Sequence, residues 1–167
     1  AHLSGLPVKH FIAACNANDA VPEFLKTGNY QAKQAIATIS NAMDVGNPSN
    51  FTRIVELYEH NFEQLAHDFS SWSYSDEDTV QAMQTIYNST KYIAEPHGAV
   101  GYLGLKNYLK TNPNTIGVFL ETAHPVKFLE EVESILNIKL DIPNDIAELL
   151  KKEKHSILIQ NYNEFKK

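Results

Sequence analysis

The sequence predicts an α/β layered fold. Short runs rich in β-branched and small apolar residues alternate with longer segments whose apolar residues recur at helical spacing, and no composition shift or internal repeat divides the chain. At 167 residues it can form one domain, 1–167, because domains of this size bury roughly 70% of the surface their unfolded chain exposes.

Residues 8–14, 35–39 and 115–120 read as strands, and 156–159 is a further candidate. Residues 51–69 are expected to form a single helix. Phe51, Ile54, Val55, Tyr58, Phe62, Leu65 and Phe69 recur there at steps of three and four and make one stripe. A second helix is expected after Ser75, whose hydroxyl caps it while Asp76, Glu77 and Asp78 sit on the positive first turn. Val80, Met83 and Tyr87 form its apolar face. Residues 97–109 and 125–136 read as further helices, the latter starting at Pro125, where a missing amide donor costs little, and 145–152 as a fifth. Glycine, proline and asparagine at 27–30, 46–50 and 111–114 mark turns.

Composition narrows the function. Hydrophobic residues make up 43% and charged residues 20%, the balance of a globular protein rather than a disordered chain. Twenty acidic against 14 basic residues give a net charge of −6, which disfavours nucleic-acid binding. No run has the length of a membrane span. Cys15 is the single cysteine, so no intrachain disulfide can form, and the cytoplasm is the expected compartment. The seven histidines show no zinc-ligand spacing, and neither a Walker loop nor a Gly-x-Ser-x-Gly elbow is present. No metal is expected.

Four segments could carry chemistry, each with a plainer reading beside it. Cys15-Asn16-Ala17-Asn18-Asp19 follows a predicted strand, where an α/β sheet opens a ligand crevice; the same asparagines serve equally to turn the chain. Residues 40–50 are dense in polar groups and lead into the helix at Phe51, whose free amides would suit an anion such as phosphate. Arg53 could add a bidentate cation there or lie solvated beside Glu56. His97, in Glu95-Pro96-His97-Gly98, is either a proton-transfer group or a capping histidine. The Thr122 hydroxyl, in Glu121-Thr122-Ala123-His124-Pro125, could meet a ring nitrogen or cap the next helix.

Taken together and in order, these segments resemble threonine synthase of the type found in many bacteria and in fungi. The resemblance rests on residues 11–19 with Pro22, Phe24, Leu25, Thr27, Gly28 and Tyr30, and on 37–45 with Pro48, Asn50 and Arg53. It continues through Pro96-His97, residues 99–102, Thr122-Ala123-His124-Pro125 with Lys127-Phe128, and the tail at 140–143. It implies a three-layer α/β/α architecture, part of the fold-type II pyridoxal-phosphate (tryptophan synthase β-like) fold, with this chain the C-terminal part of the large catalytic domain. It also implies conversion of O-phospho-L-homoserine and water to L-threonine and phosphate, the last step of threonine biosynthesis, with pyridoxal phosphate as electron sink.

By the same resemblance Thr122 would face the cofactor's pyridine nitrogen, and Ser49, Asn50 and Arg53 would hold the substrate phosphate. No catalytic residue is assigned. The Schiff-base lysine and the cofactor's glycine-rich phosphate loop lie upstream in the family. The chain is therefore expected to lack both, to be inactive alone and to need the N-terminal part of the same enzyme as its partner. The alternatives are another fold-type II lyase, such as a serine or threonine dehydratase, and a non-catalytic ligand-binding domain.

Overall fold

The computed structural model describes residues 4–166; residues 1–3 and 167 of the expected 1–167 domain lie outside the described residues. Two parallel strands, β1 (Phe11–Cys15) and β2 (Phe69–Ser73), pair in the register Phe11 to Phe69 through Cys15 to Ser73. Parallel pairing needs a long crossover. Here it carries α1 (Ala20–Thr27), α2 (Phe51–Leu57) and α3 (Phe62–Asp68). After β2 come α4 (Asp76–Thr90), α5 (Pro96–Thr111), α6 (Leu129–Leu136), α7 (Asn144–Leu150) and α8 (Tyr162–Phe165).

Helices cover both faces of the strand pair, as an α/β/α layering requires. Ile12 and Ala14 face α5, which lies unusually close because Gly104 has no side chain. A β-carbon there would stand 2.7 Å from Ala14 Cβ and 3.1 Å from Ile12 Cγ2. The opposite face presents Phe11 stacked on Phe69, and Phe69 packs in turn on a cluster centred on buried Phe24, Phe51 and Leu65 of α1, α2 and α3. A second cluster, with Met83 and Val132 fully buried, joins α4, α5 and α6 through Ala99 and Phe128.

The helix expected after Ser75 forms as α4 with a reciprocal capping box between Ser75 and Asp78. Gly28 ends α1 in the left-handed conformation, φ 72°, with its amide bonded to Phe24 O. The expected fourth helix is a 3-10 turn over Pro125–Phe128 that continues into α6.

Four expectations are corrected, one helix and three strands. The helix expected over 51–69 is broken, because Glu59 and His60 take left-handed φ values of 50° and 59° and Asn61 caps α3 by accepting from the Gln64 amide. The bend lets Phe51, Ile54, Leu65 and Phe62 all reach the Phe24 cluster, while Phe69 turns into β2, which the sequence had hidden inside the helix. Residues 35–39 are extended but join no sheet: Asn18 bonds both the amide and the carbonyl of Ile36, and Asp44 takes the Thr38 amide, so side chains replace the ladder.

Residues 115–120 and 156–159 also form no strand among the described residues. The first keeps a strand's alternation, with Gly117 against Leu105 and Phe119 on Tyr102, while Ile116, Val118 and Leu120 are 95%, 80% and 73% exposed. No described residue pairs with this run as a neighbouring strand.

Candidate functional site

A cavity of about 270 Å³ opens beyond the carboxyl end of β1, where α/β sheets place their ligands. Its polar wall is Cys15, Asn16, Asn18, Ser40, Asn50 and His97; Ala13, Ala14, Ile54, Phe69 and Val100 contribute apolar surface.

Asn16 organises the polar wall. Its Nδ2 donates to Thr38 Oγ1, Ser40 Oγ and Asp44 Oδ1, each at 3.0 Å, and its Oδ1 accepts from the amide and Nδ2 of Asn18 at 2.9 Å. Asp44 also accepts from the Thr38 hydroxyl at 2.6 Å. The loop after β1 and the loop at 36–44 are thus tied by buried polar groups that satisfy one another, which fixes Ser40 and Asn18 at the cavity. Burial pushes the Cys15 thiol up to about 11, which favours its protonated form.

The first turn of α5 forms another wall. Fully buried Glu95 caps the helix: Oε2 accepts from the His97 amide and Oε1 from the Gly98 amide. The Glu95 carboxylate also binds His97 Nδ1 at 2.5 Å. Burial alone would raise the Glu95 carboxyl, but these hydrogen bonds outweigh it and hold the group below its ordinary value. The His97 ring packs on Phe128 with centroids 4.9 Å apart, and its Nε2 is buried without a hydrogen-bond partner among the described residues. The capping role expected for His97 belongs instead to Glu95, a residue type that capping preferences would not select.

Glu121 approaches the same turn. Its carboxylate fills the space a β-carbon would take at Gly98, and Oε1 is buried without a hydrogen-bond partner among the described residues. Burial, and next the charge of Glu95, push Glu121 up to about 7. Nothing in the spacing of residues 95 and 121 announces this contact, which only the fold creates.

Of the residues expected to bind ligand, Asn50 lines the cavity beside Asn16, Ser40 and His97. Ser49 and Arg53 are exposed next to it, Arg53 in the first turn of α2. The amides of Phe51 and Arg53 are taken by the carbonyls of Pro48 and Asn50, so fewer free amides face an anion than the sequence led us to expect. Thr122 is exposed and does not line the cavity; it directly follows Glu121 on the segment anchored at Gly98. No group of residues that could hold a metal ion occurs among the described residues, and no helix there is long and apolar enough to cross a membrane.

Residues 98–167 match the family model described as threonine synthase, C-terminal. The chain is 49% identical to the threonine synthase of Haemophilus influenzae over 85% of its own length and 32% of that protein. The crystal structure of threonine synthase from Escherichia coli superposes with a TM-score of 0.79 at 47% identity, covering 86% of this chain and 33% of that one. A pyridoxal-phosphate-bound threonine synthase from Brucella melitensis, at 22% identity and a TM-score of 0.75 over 90% of this chain and 37% of that one, shares the fold.

The class is therefore an α/β fold of the fold-type II pyridoxal-phosphate enzymes. Within it, the chain corresponds to the C-terminal portion of threonine synthases and spans about a third of the length of the curated relatives it matches.

Proposed function

We propose that this chain forms one side of the active site of a threonine synthase, which converts O-phospho-L-homoserine and water to L-threonine and phosphate. The observation that carries the reading is the cavity at the carboxyl end of β1, whose apolar floor and polar wall of amide side chains, the Ser40 hydroxyl and one imidazole suit a flat heteroaromatic group bearing polar substituents. Bound there, pyridoxal phosphate would supply the electron sink for the reaction.

No lysine lines the cavity among the described residues. On the family resemblance, we assign the Schiff-base lysine and the cofactor's phosphate loop to the N-terminal part of the enzyme, the partner this chain needs for activity. The exposed row of Ile116, Val118 and Leu120 supports that assignment, because an apolar strand face of this kind is normally covered. On this chain, Asn50 at the cavity with Ser49 and Arg53 beside it would bind the substrate phosphate. Thr122 lies outside the cavity lining, and its role of presenting a neutral hydroxyl to the pyridine nitrogen rests on the family resemblance alone.

The test is phosphate release from O-phospho-L-homoserine by the full-length enzyme with pyridoxal phosphate. In that assay Arg53→Ala is expected to raise KM about ten- to a hundredfold, the loss of one charge-assisted contact of about 1.5–3 kcal/mol; an unchanged KM would return Arg53 to the solvated surface. Thr122→Val is expected to weaken cofactor retention or turnover, and normal values of both would remove Thr122 from the site. A wild-type enzyme that releases no phosphate from this substrate would refute the reading itself.

A further inference from the structure

A fully buried and a half-buried carboxyl group, Glu95 and Glu121, meet at the first turn of α5, and the donors there serve only the first of them fully. The His97 and Gly98 amides and the His97 imidazole are all spent on Glu95. Glu121, wedged in the space above Gly98, receives the Glu95 amide, while its Oε1 is buried with no partner among the described residues. An ionised carboxylate with one bare oxygen, placed beside a second buried carboxylate, is costly on both counts, and a proton on Glu121 removes both costs.

We propose that Glu121, carried as a neutral carboxylic acid, is the positioning residue that holds segment 121–124, and with it Thr122, against the first turn of α5. This deepens the reading of Thr122 as the ring-nitrogen partner and rests on it. Thr122 makes no hydrogen bond of its own among the described residues, and its neighbour's carboxyl is the group that seats the segment at Gly98. The titratable groups facing Glu121 are Glu95 and His97 at the start of α5 and Tyr92 just before it. Among the described residues no lysine or arginine contributes to holding Glu121 in its charged form.

The sign of the pH dependence follows. A carboxyl whose folded value is raised favours the anchored state fully below its unfolded value near 4.5, and loses that contribution as pH rises through about 7. Hydrogen exchange of the peptide spanning 121–124, measured on the full-length enzyme without cofactor and corrected for intrinsic rates, should show protection falling about tenfold between pH 6 and pH 8 and levelling off above, once the titration is complete. Glu121→Gln, a neutral isostere of the protonated acid, should keep the segment protected at both pH values. Pyridoxal-phosphate affinity, read by absorbance, should weaken over the same interval in the wild type and stay constant in Glu121→Gln.

Wild-type protection that is flat from pH 6 to pH 8 would overturn the proposal, and so would an equal fall in Glu121→Gln. The wild-type curve decides the matter even if the variant does not fold. Exchange is read without cofactor or substrate, so a pH-dependent segment in an enzyme that lacks threonine synthase activity would sink the functional reading and leave the anchoring role standing.

Discussion

Glu95→Ala is expected to destabilise the full-length enzyme by about 3–5 kcal/mol, the largest loss of any single side chain in this region. The substitution strands the two amides at the start of α5 and the imidazole of His97, all buried around a residue with no exposed surface. Losing an N-cap alone costs about 1 kcal/mol, and each buried donor left unpaired adds about 1–3 kcal/mol, so the stranded donors set the size of the effect. Glu95→Gln keeps an acceptor for one amide but turns an NH2 group toward another donor, and should cost less than half as much. The shift in urea midpoint at constant slope measures both. A loss below about 1 kcal/mol for Glu95→Ala would mean that water replaces the carboxylate and that this turn is more open than its burial indicates.

The dependence of α5 on one glutamate explains how the sequence could reveal the helix and conceal its site. The periodicity that predicts a helix over 97–109 is carried by apolar residues, and these do pack: Ala99 and Val100 are buried, and Tyr102 and Leu103 reach the Met83 cluster. Pro96 and the small residues after it were legible for the same reason, as local geometry. The meeting of Glu95 with Glu121 was not legible, because it depends on where the chain returns after α5 and on Gly98 leaving room. The same distinction explains β2. Phe69 fits the helical stripe of residues 51–69 as well as it fits a strand, and only pairing with Phe11 decides between them. The run at 115–120 makes the converse case: its apolar residues suggested a strand, and the structure pairs it with no other strand among the described residues, because pairing depends on a neighbour that the run itself cannot specify.

The residues around the cavity divide in the same way. Segments 15–19 and 40–50 stood out as polar stretches after apolar runs, and the structure does bring Asn16, Asn18, Ser40 and Asn50 to one wall. Their composition gave no sign that Asn16 is the joint between the two loops. An amide donates from one atom and accepts at another, and Asn16 uses both ends, donating toward Asp44 and accepting from Asn18.

Asn16→Asp tests that joint with almost no change of shape. The substitution replaces an NH2 group 3.0 Å from Asp44 Oδ1 with an oxygen, so two carboxylates would face each other in a site where Asn16 is 6% exposed. We expect a loss of about 3 kcal/mol or more at pH 7, because the donor to Thr38, Ser40 and Asp44 is gone and like charges are buried together. One carboxyl of the pair must take a raised pKa. A group raised in the folded state stabilises most below its unfolded value, and loses that contribution as pH rises through the folded one, so the variant should lie closest to the wild type near pH 4 and fall away toward pH 7. Asn16→Ala removes the donor without adding a charge and should show a deficit with little pH dependence. Urea midpoints for both variants at pH 5 and pH 7 separate the two effects. A pH-independent loss in Asn16→Asp would mean that Asp44 does not feel the new carboxylate and that solvent, rather than this network, sets the electrostatics of the wall.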